Sequence, residues 1–205
     1  MCIIVAKYFP EIGWAGAKNR DRNYTPTLDF IEDEHNGVER MMMHDGITGY
    51  KEGINSTGLS ILNTSLDVYD DETEVEAGTA ETSPDGKTIA EALLQDDAEK
   101  AARVIIKRKM GGCTIVFDRN TMILIEASDW DGKKPYKYVA KRIPKTETVA
   151  RSNHGIWIPD AGYQRKPENK SETLSRISSE SRLAQAEAVV EAAKDPEDLV
   201  DGLCQ

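Results

Sequence analysis

The sequence is poor in cysteine and has no long apolar run, and each shortage excludes a class of protein. It has three cysteines, Cys2, Cys113 and Cys204, an odd number without metal-ligand spacing. We therefore expect reduced thiols and neither a metal nor another cofactor. No apolar run approaches the roughly 20 residues that cross a bilayer, and the start lacks the basic leader of a secretory signal. We expect a cytoplasmic protein that does not bind membranes.

Positive charge is also in short supply. The chain has 26 Lys and Arg against 36 Asp and Glu, a formal net charge of −10. Such a field repels polyanions, so nucleic acid is not an expected partner.

At 205 residues the chain is long enough to bury a core of its own. We predict a single domain over residues 1–205 and leave a homo-oligomer open.

Hydrophobic periodicity predicts strands, then two helical pieces, then strands, then a helix. We expect strand pairs over 3–19, 27–44, 50–66, 113–127 and 136–152. Helices are predicted over 88–109 and 172–194, the second ended by Pro196, and the acidic stretch 67–86 is predicted to be an exposed loop. Segregated strands and helices indicate an α+β fold with mainly antiparallel sheet. Two stacked sheets with helices outside, a four-layer αββα sandwich, fit this order.

Cys2 carries the most distinctive chemistry in the sequence. A cysteine directly after Met1 is small enough for Met1 to be trimmed, which leaves a thiol and a free α-amine on one residue. The amine titrates at about pH 7.7–8, so it can be the base that activates the thiol. The alternative is a cysteine that only packs as a small hydrophobe at the start of a strand.

Four stretches, taken in order, resemble a known family. They are Cys2, Ala17 to Asp21 (AKNRD), Gly53 to Leu59 (GINSTGL) and Arg151 to His154 (RSNH). Together they resemble the cysteine-type N-terminal-nucleophile (Ntn) hydrolases of linear amides. That group includes choloylglycine (bile-salt) hydrolases, penicillin V acylases and the acyl-transferases that exchange penicillin side chains. The start is also similar to the transport-and-Golgi-organisation family. The resemblance implies the αββα fold and action on a small linear amide.

The resemblance also implies a role for each motif residue. Asp21 would hold the α-amine near the thiol. Either Lys18, where relatives often carry Arg, or Arg20 would supply a positive charge that favours the thiolate. Asn55 would donate to the oxyanion of the tetrahedral intermediate. Asn153 would orient the cysteine or complete the oxyanion hole. For both asparagines the alternative is a turn or strand-end residue.

Two further residues are candidates for supporting roles. His154 suggests a Cys–His dyad, although the α-amine already serves as the base. Arg182 ends a Ser-rich run that is similar to one in the family's C-terminal helix, so it is either a supporting cation or an exposed helix arginine.

Two functions follow from these residues. The first is a cysteine amidohydrolase or acyl-transferase that forms an acyl-Cys2 intermediate. The second is a non-catalytic small-molecule carrier that keeps the same fold, an alternative favoured by Lys18 and by a chain much shorter than bile-salt hydrolases. The sequence leaves open the acyl group, the amine, the acyl acceptor and the removal of Met1.

Overall fold

The chain forms two antiparallel sheets and four helices. The computed structural model describes residues 2–20, 25–66, 83–128, 135–159, 161–162 and 170–204, with backbone only at 170–173. The strands are β1 (Cys2–Phe9), β2 (Gly13–Arg20), β3 (Leu28–His35), β4 (Val38–Asp45), β5 (Lys51–Asn55), β6 (Ser60–Thr64), β7 (Gly112–Phe117), β8 (Met122–Ala127), β9 (Tyr138–Arg142) and β10 (Val149–Arg151). The helices are α1 (Pro84–Ala92), α2 (Ala98–Lys107), α3 (Lys170–Ala192) and α4 (Pro196–Leu203).

These elements confirm the predicted α+β class and correct two details. The second predicted helix does end before Pro196, since α3 stops at Ala192, but Pro196 does not end the helical region. It opens α4, because Asp195 caps the helix by accepting from Asp198 N at 2.9 Å and proline fits the first helical turn. The helix α1 likewise begins inside the stretch predicted as a loop, and residues 67–82 lie outside the described residues. No helix in the described part of the chain is long and apolar enough to cross a membrane.

The smaller sheet has the order β10-β1-β2 and explains the apolar run at the start of the chain. Ile4 and Ala6 of β1 face the larger sheet, whereas Ile3 and Val5 face α3 and α4. Because both faces of this central strand are covered, its sequence is continuously apolar instead of alternating.

The larger sheet has the order β3-β4-β5-β6-β7-β8-β9, in which every strand pairs with its neighbour in sequence. Its first hairpin turns at Asn36 and Gly37, whose φ angles are 53° and 79°. Two consecutive left-handed residues are typical of the two-residue turn that matches strand twist, and Asn-Gly is its preferred sequence.

Three buried clusters separate the elements into layers. The first lies between α1, α2 and the larger sheet and contains Ile89 and Ile105. The second lies between the two sheets, and the third lies between the smaller sheet and the helices α3 and α4. Gly16 of β2 allows the sheets to approach, since a Cβ there would lie 3.0 Å from Leu62 Cδ1. This packing order is compatible with the expected αββα sandwich.

A buried carboxylate holds the segment that follows β10. Glu126 of β8 is fully buried and accepts backbone N–H bonds from Ile156 at 3.1 Å and Trp157 at 2.8 Å, and a further bond from Ile158. Hydrogen bonds to a charged acceptor are stronger than neutral ones. Glu126 therefore fixes this segment against the larger sheet.

We expect Glu126→Gln to lower the free energy of unfolding by about 2–3 kcal/mol, because an amide N–H would face backbone donors that now bind an oxygen. Urea unfolding measures the change. Glu34→Gln, at an exposed position of β3, is the matched control and should stay within about 0.5 kcal/mol of the wild type. Equal stability of the two variants would contradict the anchoring role.

Candidate active site

The nitrogen of Cys2 is held by a side chain from the opposite end of the sequence. It donates to Asn153 Oδ1 at 2.7 Å. In the chain that includes Met1 this nitrogen belongs to a peptide bond, and after removal of Met1 the same atom is the α-amine. Cys2 itself is half-buried at the start of β1. The bond fixes the direction of the nitrogen that belongs to the same residue as the thiol.

Asn153 is in turn fixed by three neighbours, so its amide orientation is determined. Its Nδ2 donates to Thr64 Oγ1 at 3.1 Å and to the Ser65 carbonyl at 2.7 Å. Its backbone N–H donates to Ser179 Oγ at 3.1 Å. Because both Nδ2 protons have acceptors, Oδ1 must be the atom that faces Cys2. Of the two roles that the resemblance implied, these contacts are compatible with orienting Cys2, because both amide protons of Asn153 are already used.

The β1–β2 hairpin places two cations beside Cys2. Arg20 pairs directly with Cys2 in the antiparallel register. Lys18 forms a buried ion pair with Glu52 of β5 and donates to the Asn63 carbonyl at 2.6 Å. Burial lowers the pKa of Lys18, against the opposing effects of Glu52 and of nearby Cys2. Both of the sequence candidates thus lie at this site, with Lys18 neutralised by its partner.

Tyr50 lies under these two cations and has an unused hydrogen-bond donor. Its ring is 4.4 Å from Arg20 Cζ and 5.1 Å from Lys18 Nζ. Its Oη is buried and has no hydrogen-bond partner among the described residues, and the same holds for Arg20 Nη1. Burial raises the pKa of Tyr50 well above its usual 10, so the phenol stays protonated at neutral pH. Two donors beside Cys2 therefore have no hydrogen-bond partner in the part of the chain that the structure describes.

Asn55 is not part of this site, which corrects the sequence prediction. Its Oδ1 accepts from Thr57 and Leu59, and its Nδ2 donates to the carbonyls of Leu93 and Gln95, each at 2.8 Å. Those carbonyls follow α1, on the face of the larger sheet that is opposite the one Glu52 presents to Lys18. All the polar capacity of Asn55 is used in closing the turn and holding α1, so it is withdrawn as an oxyanion donor.

His154 faces α3 and not the thiol in the described contacts. Its Nδ1 lies 2.8 Å from Ser179 Oγ, which also bonds Ser152 Oγ at 2.7 Å. Burial, with a further effect of Arg176, lowers the pKa of His154 to about 4. The imidazole is therefore neutral at pH 7 and is a much weaker base than an α-amine. These contacts do not support a Cys–His dyad.

The last two candidates have different outcomes. Arg182 Nη1 donates to the Cys2 carbonyl at 3.4 Å, and its Nε donates to the Ser178 carbonyl at 3.2 Å. The structure therefore places Arg182 against the backbone of the nucleophile candidate, where its charge supports β1. Asp21, predicted to hold the α-amine, lies outside the described residues.

Several residues of this site were not found from the sequence. They are Tyr50, Glu52, Thr64 and Ser179. Glu52 gave a usable signal, because a charged side chain inside a predicted strand needs a partner of opposite charge, and Lys18 was available. Ser179 lies inside the Ser-rich run already noted. Nothing in the sequence pointed to the Tyr50 hydroxyl. That it has no partner among the described residues is known only from the contacts around it.

Comparison with known proteins adds no assignment. No protein-family model matches the chain, and no curated protein matches it significantly. The function is therefore inferred from the residues and contacts of the chain itself.

The depressed pKa of His154 predicts a stability that depends on pH. Between the unfolded value near 6.5 and the folded value of about 4, the unfolded state binds the extra proton. Stability should therefore fall as the pH falls, by about 2 kcal/mol between pH 7 and pH 5. His154→Gln should remove most of this slope in urea unfolding, whereas His35→Gln, at an exposed position, should keep it. An unchanged slope in His154→Gln would contradict the assignment.

Proposed function

We propose that this protein is a cysteine Ntn amidohydrolase or acyl-transferase that acts on a small linear amide through an acyl-Cys2 intermediate. The bond from Cys2 N to Asn153 Oδ1 is the observation that carries the proposal. The layer order, with Cys2 at the start of the central strand of the smaller sheet, supports an Ntn-hydrolase-like αββα fold.

The first chemical step uses the two functional groups of Cys2. With Met1 removed, the α-amine accepts the thiol proton, and the sulfur attacks the carbonyl carbon of the amide. A C–S bond forms, and the π electrons of the carbonyl move to oxygen. Asn153 Oδ1 accepts one N–H of the amine, which leaves the nitrogen lone pair free to turn toward the thiol. Holding the base in a fixed direction lowers the activation barrier, because the amine is already oriented for proton transfer.

The oxyanion needs donors, and Asn55 does not supply one. We assign this role to Tyr50 Oη, because it is a buried donor without a partner among the described residues. The second unpartnered donor, Arg20 Nη1, adds positive charge in the same place. A preorganised donor in a site that excludes water lowers the barrier by roughly 3–4 kcal/mol.

The remaining steps return the enzyme to its starting state. The C–N bond breaks, and the leaving amine takes the proton from the α-ammonium group. Water, or a second amine, then attacks the thioester carbon and gives a proton to the α-amine. The C–S bond breaks, and the cysteine sulfur recovers its proton. Hydrolysis and acyl transfer differ only in the molecule that attacks the thioester.

The primary test is trapping of the acyl-enzyme. Purified protein, checked by intact mass for loss of Met1, is incubated with a metabolite extract and with an amide-mimicking thiol probe. We expect mass addition at Cys2 and not at Cys113 or Cys204. Cys2→Ala should abolish labelling and turnover with little loss of stability, and Cys2→Ser should lose most activity, since a hydroxyl is a far weaker nucleophile. Wild-type turnover by Cys2→Ala would overturn the proposal.

Substitutions of Tyr50 and Asn153 should have different effects on kcat and on stability. Tyr50→Phe should lower kcat by roughly 10²–10³ without loss of stability, because the hydroxyl that it removes has no partner among the described residues. Asn153→Ala should lower kcat as well, but it should also cost about 1–3 kcal/mol in unfolding, because it leaves buried polar groups unsatisfied. Tyr138→Phe, at an exposed tyrosine, is the control. Unchanged kcat in Tyr50→Phe would exclude it as the oxyanion donor.

The carrier alternative is favoured by one contact. The ion pair of Lys18 with Glu52 neutralises the residue that stands where relatives often carry Arg. A carrier would show reversible binding with no mass addition at Cys2, and equal labelling of Cys2 and exposed Cys204. The trapping experiment therefore separates the two functions.

A further inference from the structure

A pocket separate from the Cys2 site lies at the β9–β10 side of the space between the sheets. Its cavity measures about 520 Å³, which is within the range of small-molecule sites. Its apolar wall is formed by Leu124, Ile143 and Val149, and its polar groups include Lys141 and Arg151, with Trp157 between them. None of these residues takes part in the proposed chemistry at Cys2.

The pocket holds a half-buried cation, Arg151, that forms no ion pair in the described part of the chain. Arg151 Nε is buried and has no hydrogen-bond partner among the described residues, and Nη1 donates only to the adjacent Ala150 carbonyl at 2.7 Å. The guanidinium carbon lies 4.9 Å from the Trp157 ring. Burial lowers the pKa of Arg151. An arginine stays charged in proteins, and a buried charge without a partner is costly.

Lys141 adds a second positive charge on the same indole. Its Nζ lies 4.3 Å from the Trp157 ring, and its side chain is exposed at the mouth of the pocket. Arg142, the next residue, is instead directed to Glu99 and Thr121. Two cations thus meet at one aromatic side chain in a protein whose net charge is −10.

No carboxylate among the described residues forms an ion pair with these cations. Glu126 is used by the backbone N–H groups of residues 156–158. Glu126 and Glu187 act on Arg151 only through space. Glu147, also at the pocket, is exposed, and no ion pair joins it to Lys141 or Arg151 in the described part of the chain.

We propose that this pocket binds a small monocarboxylate that has an apolar body. The guanidinium of Arg151 is suited to a carboxylate, because guanidinium and carboxylate pair in a plane, and Lys141 closes the site from the solvent side. The apolar wall takes the body of the ligand. The acidic surface of the whole protein disfavours polyanions, which favours a single carboxylate over a phosphate. This inference does not depend on the function proposed for Cys2.

The test is calorimetric titration of the full chain carrying Cys2→Ala, so that no amide is turned over. Benzoate supplies a carboxylate and an apolar ring, benzamide replaces the carboxylate by a neutral group, and acetate lacks the ring. We expect benzoate to bind at least about tenfold more tightly than either. Inorganic phosphate should compete weakly. Absence of benzoate binding, or equal binding of benzamide or phosphate, would overturn the proposal.

Variants that remove one positive charge test whether benzoate binds in this pocket. Lys141→Gln and Arg151→Gln should each weaken benzoate binding at least about tenfold, while Lys137→Gln, an exposed lysine on the same side of the larger sheet, should leave it unchanged. Arg151→Gln removes a half-buried charge that has no ion pair in the described part of the chain, so it should melt at or above the temperature of the parent chain. Should that variant fail to fold, the exposed Lys141 decides alone. Benzoate binding that survives Lys141→Gln unchanged contradicts the assigned pocket.

Discussion

The ion pair between Lys18 and Glu52 joins the two sheets at the end where Cys2 lies. Lys18 belongs to β2 and Glu52 to β5, and their side chains are only 7% and 5% exposed. Removing one partner of a buried pair leaves a charge that the interior cannot accommodate, which typically costs about 3–5 kcal/mol. Glu52 also accepts from Asn63 N at 2.9 Å. The same contact therefore sets the position of β2, and with it Arg20 opposite Cys2.

Most of the fold could be predicted from local patterns. The apolar run of β1, the Asn36-Gly37 turn and the Asp97 cap of α2 each depend on interactions within a few residues. The start of α4 at Pro196, which was not predicted, also depends on local residues. Proline stops one helix and starts another equally well, and Asp195 was the residue that decided between the two.

The site was harder to predict because it depends on which face of a sheet each side chain occupies. Asn55 and Glu52 are three residues apart on β5, so they project to opposite faces, and the turn motif alone did not reveal this. Asn153 was correctly placed near Cys2 by the resemblance. Its supporting partners, Thr64 and Ser179, come from distant elements and could not be found from spacing. The free donor of Tyr50 is visible only when all contacts of its neighbours are known.

The contact between Cys2 N and Asn153 spans 151 positions of sequence, and this separation has a consequence for biosynthesis. At about 5–20 residues per second, a ribosome needs roughly 8–30 s to make the intervening chain. During that interval the amino end is accessible, because the residue that will bind the nitrogen does not yet exist. Removal of Met1, which the proposed chemistry requires, is therefore easiest on the nascent chain. Once Asn153 has been made and folded into place, an aminopeptidase would have to reach a nitrogen that is already engaged.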